Sequence, residues 1–200
     1  MGAGGCQPNA SNQTTVNGGP GDDEIYVVCN IFCFHPNTII QVLEKDKLIN
    51  KRISQIRRGE QVLSYEDKKQ ILTKVTQNKE NKGLFEFFTI KCKNKNENIK
   101  MISITGNHTM ILYEKLKNEI LFKNANKVEI GDLFITSDGI FEVYEIKKEM
   151  MNNSYEIRVE NGSVLANDIL VSTLYLEINE ISKYPQKIIK SIEKNIENLN

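Results

Sequence analysis

Between residues 25 and 173 the chain alternates between short apolar segments and polar turns, and that spacing leaves few folds open. The segments are rich in Ile, Val, Phe and Tyr, which fit a pleated sheet better than a helix. They fall at 25–28, 38–43, 48 onward, 61–65, 71–76, 85–91, 100–105, 110–113, 119–122, 132–136, 140–146, 155–159 and 163–171. Glu44-Lys45-Asp46-Lys47, Arg57-Arg58-Gly59-Glu60 and Ser137-Asp138-Gly139 supply turns between them. About a dozen short strands at this pitch predict an all-β domain. One stretch recurs. Ile53-Ser54-Gln55-Ile56-Arg57-Arg58-Gly59-Glu60-Gln61-Val62 is matched by Ala125-Asn126-Lys127-Val128-Glu129-Ile130-Gly131-Asp132-Leu133-Phe134. Each copy runs from an apolar start through a short turn and a Gly-acid pair into a strand. The recurrence predicts two subdomains related by an approximate two-fold.

The ends have a different character. Residues 1–23 read as a flexible leader, because half of the 12 glycines lie there with little apolar surface to offset chain entropy. Residues 24–177 form the β domain with its upstream strand. In 178–200, Ile188, Ile189, Ile192, Ile196 and Leu199 follow Pro185 at helical spacing, which predicts an amphipathic C-terminal helix. The balance of 26 Lys+Arg against 26 Asp+Glu excludes a protein that coats nucleic acid by displacing counterions. No apolar run approaches the roughly 20 residues that cross a bilayer. Met1-Gly2-Ala3-Gly4-Gly5-Cys6 lies close to an acylation pattern, with Gly2 open to myristate and Cys6 to palmitate. A Gly-rich leader is the simpler reading; a doubly acylated membrane tether stays open.

The four cysteines, Cys6, Cys29, Cys33 and Cys92, are too few and too irregular for a disulfide scaffold. On one strand Cys29 and Cys33 stand roughly 13 Å apart, too far to bridge. A metal cluster of Cys29, Cys33, His35 and Cys92 can be drawn, but its spacing fits no common finger. The reading therefore assigns neither a metal nor a cofactor, and a metal-binding β domain is the weakest alternative.

Four segments carry the chemistry: Cys33-Phe34-His35-Pro36-Asn37-Thr38, the Gly59-Glu60 stretch with its strand, Thr105-Gly106-Asn107-His108, and Tyr155-Glu156-Ile157-Arg158-Val159 running on to Ser172-Thr173. In this order and spacing, residues 33–173 resemble the Hint family, the self-processing module shared by inteins and the carboxyl half of Hedgehog proteins. The resemblance implies a horseshoe of short strands with pseudo-two-fold subdomains. It implies that Cys33 is a nucleophile attacking the carbonyl of Phe32, so that a thioester replaces the Phe32–Cys33 amide. It further implies that His108 protonates the departing nitrogen and that Thr105 orients the same peptide. The demand is physical: an amide nitrogen leaves only when protonated, and the oxyanion must be stabilised. The reactive form of a thiol is the thiolate, so Cys33 is expected in a polar, accessible pocket. His35 and Cys92 read as packing or surface residues.

The end of the segment departs from splicing inteins, in which His-Asn precedes a Cys, Ser or Thr. Here Ser172, Thr173 and Leu174 take those places, and none of them supports splicing. Thr173 instead falls where Hedgehog proteins carry a Cys that is not the primary nucleophile. Glu156 falls where many inteins carry Asp, which suggests a supporting acid–base or hydrogen-bonding role. The expected outcome is self-cleavage, with the chain's own N-terminal segment as substrate and the thioester resolved by water, a thiol, an amine or a sterol. The tail after Tyr175 is short, and Asn78 and Lys79 occupy the region where a sterol-activating Asp is expected, so hydrolysis is favoured. The alternative is a degenerate Hint-fold binding or interaction module without activity.

Overall fold

Nearly every apolar segment becomes a strand, because alternating side chains bury one face while the backbone pairs with a neighbour. The computed structural model describes residues 13–16, 26–29, 32–66, 69–117 and 119–173. The expected helix at 178–200, the acylation positions Gly2 and Cys6, and most of the leader lie outside these residues. Within 1–23 one strand is described, β1 (Gln13–Val16), which pairs antiparallel with β2 (Tyr26–Cys29).

The domain itself consists of β3 (Ile39–Glu44), β4 (Lys47–Arg52), β5 (Gln61–Glu66), β6 (Lys69–Lys93), β7 (Ile99–Thr105), β8 (Thr109–Glu114), β9 (Glu119–Asn124), β10 (Leu133–Thr136), β11 (Gly139–Val159), β12 (Ser163–Ala166) and β13 (Ile169–Ser172). Eleven strands join in one sheet ordered β10-β11-β6-β5-β3-β12-β13-β8-β9, with β4 on β3 and β7 on β6. Further bridges from β10 to β13 and β8 fold the sheet back on itself.

Three strand expectations are corrected. Segments 71–76 and 85–91 belong to the single 25-residue strand β6, and 140–146 and 155–159 to the 21-residue β11. The polar run between each pair of segments has the composition of a loop. It stays extended because the two runs pair with each other, Asn78 opposite Ile157, Glu80 opposite Tyr155 and Asn81 opposite Ser154. An antiparallel ribbon with one wet face tolerates such residues. Segment 163–171 is conversely two strands, reversed at Asn167-Asp168, whose φ angles are 49° and 61°. That is the left-handed pair a two-residue hairpin turn needs, and Asn and Asp adopt it at low cost.

The recurring stretch folds twice in the same way, bond for bond. Ile56 donates to the Ile53 carbonyl at 3.2 Å and Val128 to that of Ala125 at 3.3 Å. Gly59 donates to Val75 and Gly131 to Val143, both at 2.8 Å, and their φ angles of 94° and 95° exclude most side chains. Glu60 accepts the Arg57 amide at 2.8 Å and the Lys51 ammonium at 2.9 Å. Asp132 accepts the Glu129 amide and the Lys123 ammonium, each at 2.8 Å. The equivalence extends upstream to positions the sequence comparison did not reach. Thr38 donates to the His35 carbonyl at 2.9 Å and its own carbonyl accepts from Ile53; His108 donates to Thr105 at 3.0 Å and accepts from Ala125. His35-Pro36-Asn37-Thr38 and Thr105-Gly106-Asn107-His108 are thus two copies of one turn, with His and Thr exchanged.

The two halves meet where Cys33-Phe34-His35 runs between β7 and β11, bridged at Phe34 to Ile104 and to Tyr155. Phe34 is buried in the main core with Phe88, Phe134, Phe141 and Met110; a smaller core gathers Ile111, Phe122, Ile135 and Leu170. The equivalence of the halves can be measured. Glu60→Ala and Asp132→Ala each remove the acceptor of one amide and one ammonium, with Lys51 keeping Glu44 at 3.0 Å, and each is expected to cost about 0.5–1.5 kcal/mol in urea unfolding. A loss confined to one of the two would show that the turns are alike in shape only.

Candidate active site

The segment that opens the domain is pinned by backbone bonds on both sides. Phe34 donates to Tyr155 at 2.8 Å and accepts its amide at 2.9 Å, while His35 donates to Ser103 at 3.1 Å. The Cys33 carbonyl accepts the Thr105 amide at 2.9 Å. The Cys33 amide, which is the nitrogen of the Phe32–Cys33 bond, donates to Thr105 Oγ1 at 2.9 Å. One residue therefore grips Cys33 by both its N–H and its C=O.

The turn after Thr105 brings His108 back over the same segment. Gly106 makes this possible: a Cβ there would lie 2.8 Å from the Phe88 ring. The buried imidazole of His108 packs edge-on against Phe34, with centroids 4.5 Å apart, and lies 6.3 Å from the ring of Phe32. It thus packs near the two rings that flank Cys33. Its Nε2 is 2.8 Å from the Ser172 carbonyl. A carbonyl only accepts, so Nε2 carries the proton and Nδ1 of the neutral ring carries the lone pair. Nδ1 has no hydrogen-bond partner among the described residues. Burial lowers the His108 pKa to about 4, against a smaller opposing effect of the Ser172 bond.

The expectation of an accessible Cys33 is corrected, because its side chain is fully buried. Desolvation pushes the thiol up to about 12, and the Glu156 carboxylate adds to this; the Ser154 hydroxyl, the Asn81 amide and Lys79 act in the opposite direction. Asn81 Nδ2 lies 3.4 Å from Sγ. Ser154, paired with Asn81 across the ribbon, faces the thiol without a hydrogen bond of ordinary length. The β-bulge between Asn152 and Ser154, with Asn153 at φ 62°, turns these two side chains toward Cys33. Neither residue carries a mark in the sequence, since both sit in polar runs with loop composition.

Glu156 and Thr173 lie beside Phe32 and His108. With Phe32, His108 and Arg158 they line a cavity of about 20 Å³. Glu156 Oε1 accepts from Arg158 at 2.8 and 2.7 Å. Thr173 is buried, its amide donates to Gly162 at 2.8 Å, and its Oγ1 has no partner among the described residues. Phe32, Cys33, Thr105, His108, Glu156 and Thr173 thus converge from four stretches of the chain. His35 stands apart, edge-on to Phe87 at 5.7 Å, and Asn78 holds the turn at Ile53–Gln55 by donating to the carbonyls of Ile53 and Ile56. Cys92 is buried and hydrogen-bonds the Lys100 carbonyl at 3.7 Å.

No family model and no curated protein matches the chain. Solved structures do. The chain is similar to the gp41-1 intein, at 19% identity and a TM-score of 0.55 over 70% of this chain and 98% of the other. It is similar to a bacterial intein-like domain from Clostridium thermocellum, at 19% identity and a TM-score of 0.56 over 71% and 99%. An intein from a hyperthermophile aligns at 13% identity and a TM-score of 0.60 over 70% and 99%. The chain has the Hint fold, the fold of inteins.

The buried imidazole predicts a pH dependence with a definite sign. The His108 pKa is about 4 folded and about 6.5 unfolded, so the unfolded chain takes up this proton first as pH falls. Its contribution to stability therefore declines from pH 6.5 to pH 4 and is constant below, a loss on the order of 3 kcal/mol. His108→Gln is expected to flatten that part of the urea-unfolding profile. With two histidines in the chain, NMR assignment through His35→Asn is simple, and a His108 ring titrating near 6.5 would contradict its burial.

Proposed function

We propose that this domain cleaves its own chain at the Phe32–Cys33 bond by an N-to-S acyl shift. The observation that supports it best is the grip of Thr105 on Cys33, which holds the Cys33 nitrogen 2.9 Å from the Thr105 hydroxyl, with the His108 ring packed near the flanking rings of Phe32 and Phe34. A thiol with a pKa near 12 does not ionise unaided at neutral pH, so sulfur attack needs a base in the same step. We assign that base to the neutral His108 ring, whose Nδ1 lone pair has no partner among the described residues. It takes the Cys33 proton as sulfur adds to the Phe32 carbonyl carbon. The imidazolium so formed is a strong acid in this dry site and returns the proton to the Cys33 nitrogen. The C–N bond breaks, leaving a Phe32 thioester and a free amine on Cys33. The Ser172 carbonyl fixes the tautomer that allows this exchange.

Two steps of splicing do not follow. Thr173 stands where an Asn would cyclise and Leu174 where an acceptor nucleophile would stand, so the chain cleaves on the N-terminal side of Cys33 and does not splice. An external nucleophile resolves the thioester. The inteins and the intein-like domain that share the fold support a self-processing role in general terms.

The test is direct. The full chain, incubated at neutral pH and analysed by mass spectrometry, is expected to yield a fragment ending at Phe32 and one beginning at Cys33. Cys33→Ala is expected to abolish the cut, and His108→Ala to slow it at least 100-fold. An intact wild-type chain, or equal cleavage in Cys33→Ala, would leave the binding-module reading in its place.

A further inference from the structure

The His108 Nδ1 lone pair and the Thr173 hydroxyl are buried polar atoms without a partner among the described residues, and both residues line the cavity beside Phe32. A buried polar atom is seldom left unpaired, and when it is, a bound water or a chemical role is the usual reason. The cavity measures about 20 Å³. A single water needs roughly 10–15 Å³ on this measure and two to four polar partners. The lining supplies an acceptor in Nδ1, a donor and acceptor in Thr173 Oγ1, and the Glu156 carboxylate, one of whose oxygens is already engaged by Arg158.

We infer that this cavity is the site of the hydrolytic water, and that Thr173 positions it against the Phe32 thioester. The inference rests on the self-cleavage reading and names its acyl acceptor. A sterol or a dithiol does not fit such a space, whereas water does. The step balances without a co-reactant. The water oxygen bonds to the Phe32 carbonyl carbon and one of its protons goes to His108 Nδ1. The C–S bond then breaks and the Cys33 sulfur takes that proton, giving a Phe32 carboxylic acid and a Cys33 thiol. Glu156 accepts the second hydrogen of the water and turns its lone pair toward the carbon.

Thr173→Val removes the hydroxyl at nearly constant volume. In this variant of the full chain, release of the Phe32 acid is expected to slow at least 10-fold while the thioester accumulates. The thioester is read by quenching into denaturant with hydroxylamine and weighing the Phe32 hydroxamate. Thr173→Ser, which keeps the hydroxyl, is expected to restore hydrolysis to within about three-fold. Wild-type cleavage in H₂¹⁸O is expected to place one ¹⁸O in the Phe32 carboxylate. An unchanged rate in Thr173→Val would overturn the assignment, as would acid and hydroxamate falling together. Absence of both products from the wild-type chain would instead overturn the thioester itself, and this assignment with it.

Discussion

The clasp between Cys33 and Thr105 is the contact on which both the fold and the site depend. It consists of one backbone–backbone bond and one bond from a backbone amide to a hydroxyl, and it closes where the two halves of the domain meet. Those bonds hold Cys33-Phe34-His35 between β7 and β11, and the buried ring of Phe34 locks the segment into the core. A peptide held in this way has lost conformational freedom, which is the kind of positioning an intramolecular attack would require.

The duplicated architecture explains why one such site is equipped and its counterpart is not. Thr105-x-x-His108 has its equivalent in His35-x-x-Thr38, so each half presents the same turn to the other's strand. The backbone bonds are equivalent: Thr105 donates to Cys33, and His35 to Ser103. The side chains are not. The residue matching Cys33 is Ser103, whose hydroxyl is tied to Thr89 at 2.8 Å, and the residue matching His108 is Thr38. A pseudo-two-fold scaffold supplies two equivalent places, and only one of them carries the Cys33 and His108 side chains.

Burial explains the resting state of that place. A thiol near 12 and an imidazole near 4 are both neutral at pH 7, so Cys33 and His108 hold no fixed ion pair. Two neutral groups cost less to bury than a thiolate–imidazolium pair, so the folded chain keeps both in its interior without a large desolvation penalty.

The short alternating segments, the turn at Lys45-Asp46 and the recurring Gly-acid stretch determined the strand content, the all-β class and the duplication, because these are local properties of side-chain period and backbone φ. Cys33, Thr105, His108, Glu156 and Thr173 were legible through the order and spacing of their segments. Asn81 and Ser154 were not, since their place beside the thiol comes from pairing between β6 and β11, which neither polar run announces. The length of those two strands, the burial of Cys33, the His108 tautomer set by the Ser172 carbonyl and the small cavity beside Phe32 were likewise decided only in three dimensions. Each arises from contacts between residues far apart in the chain, and sequence period carries information only about neighbours.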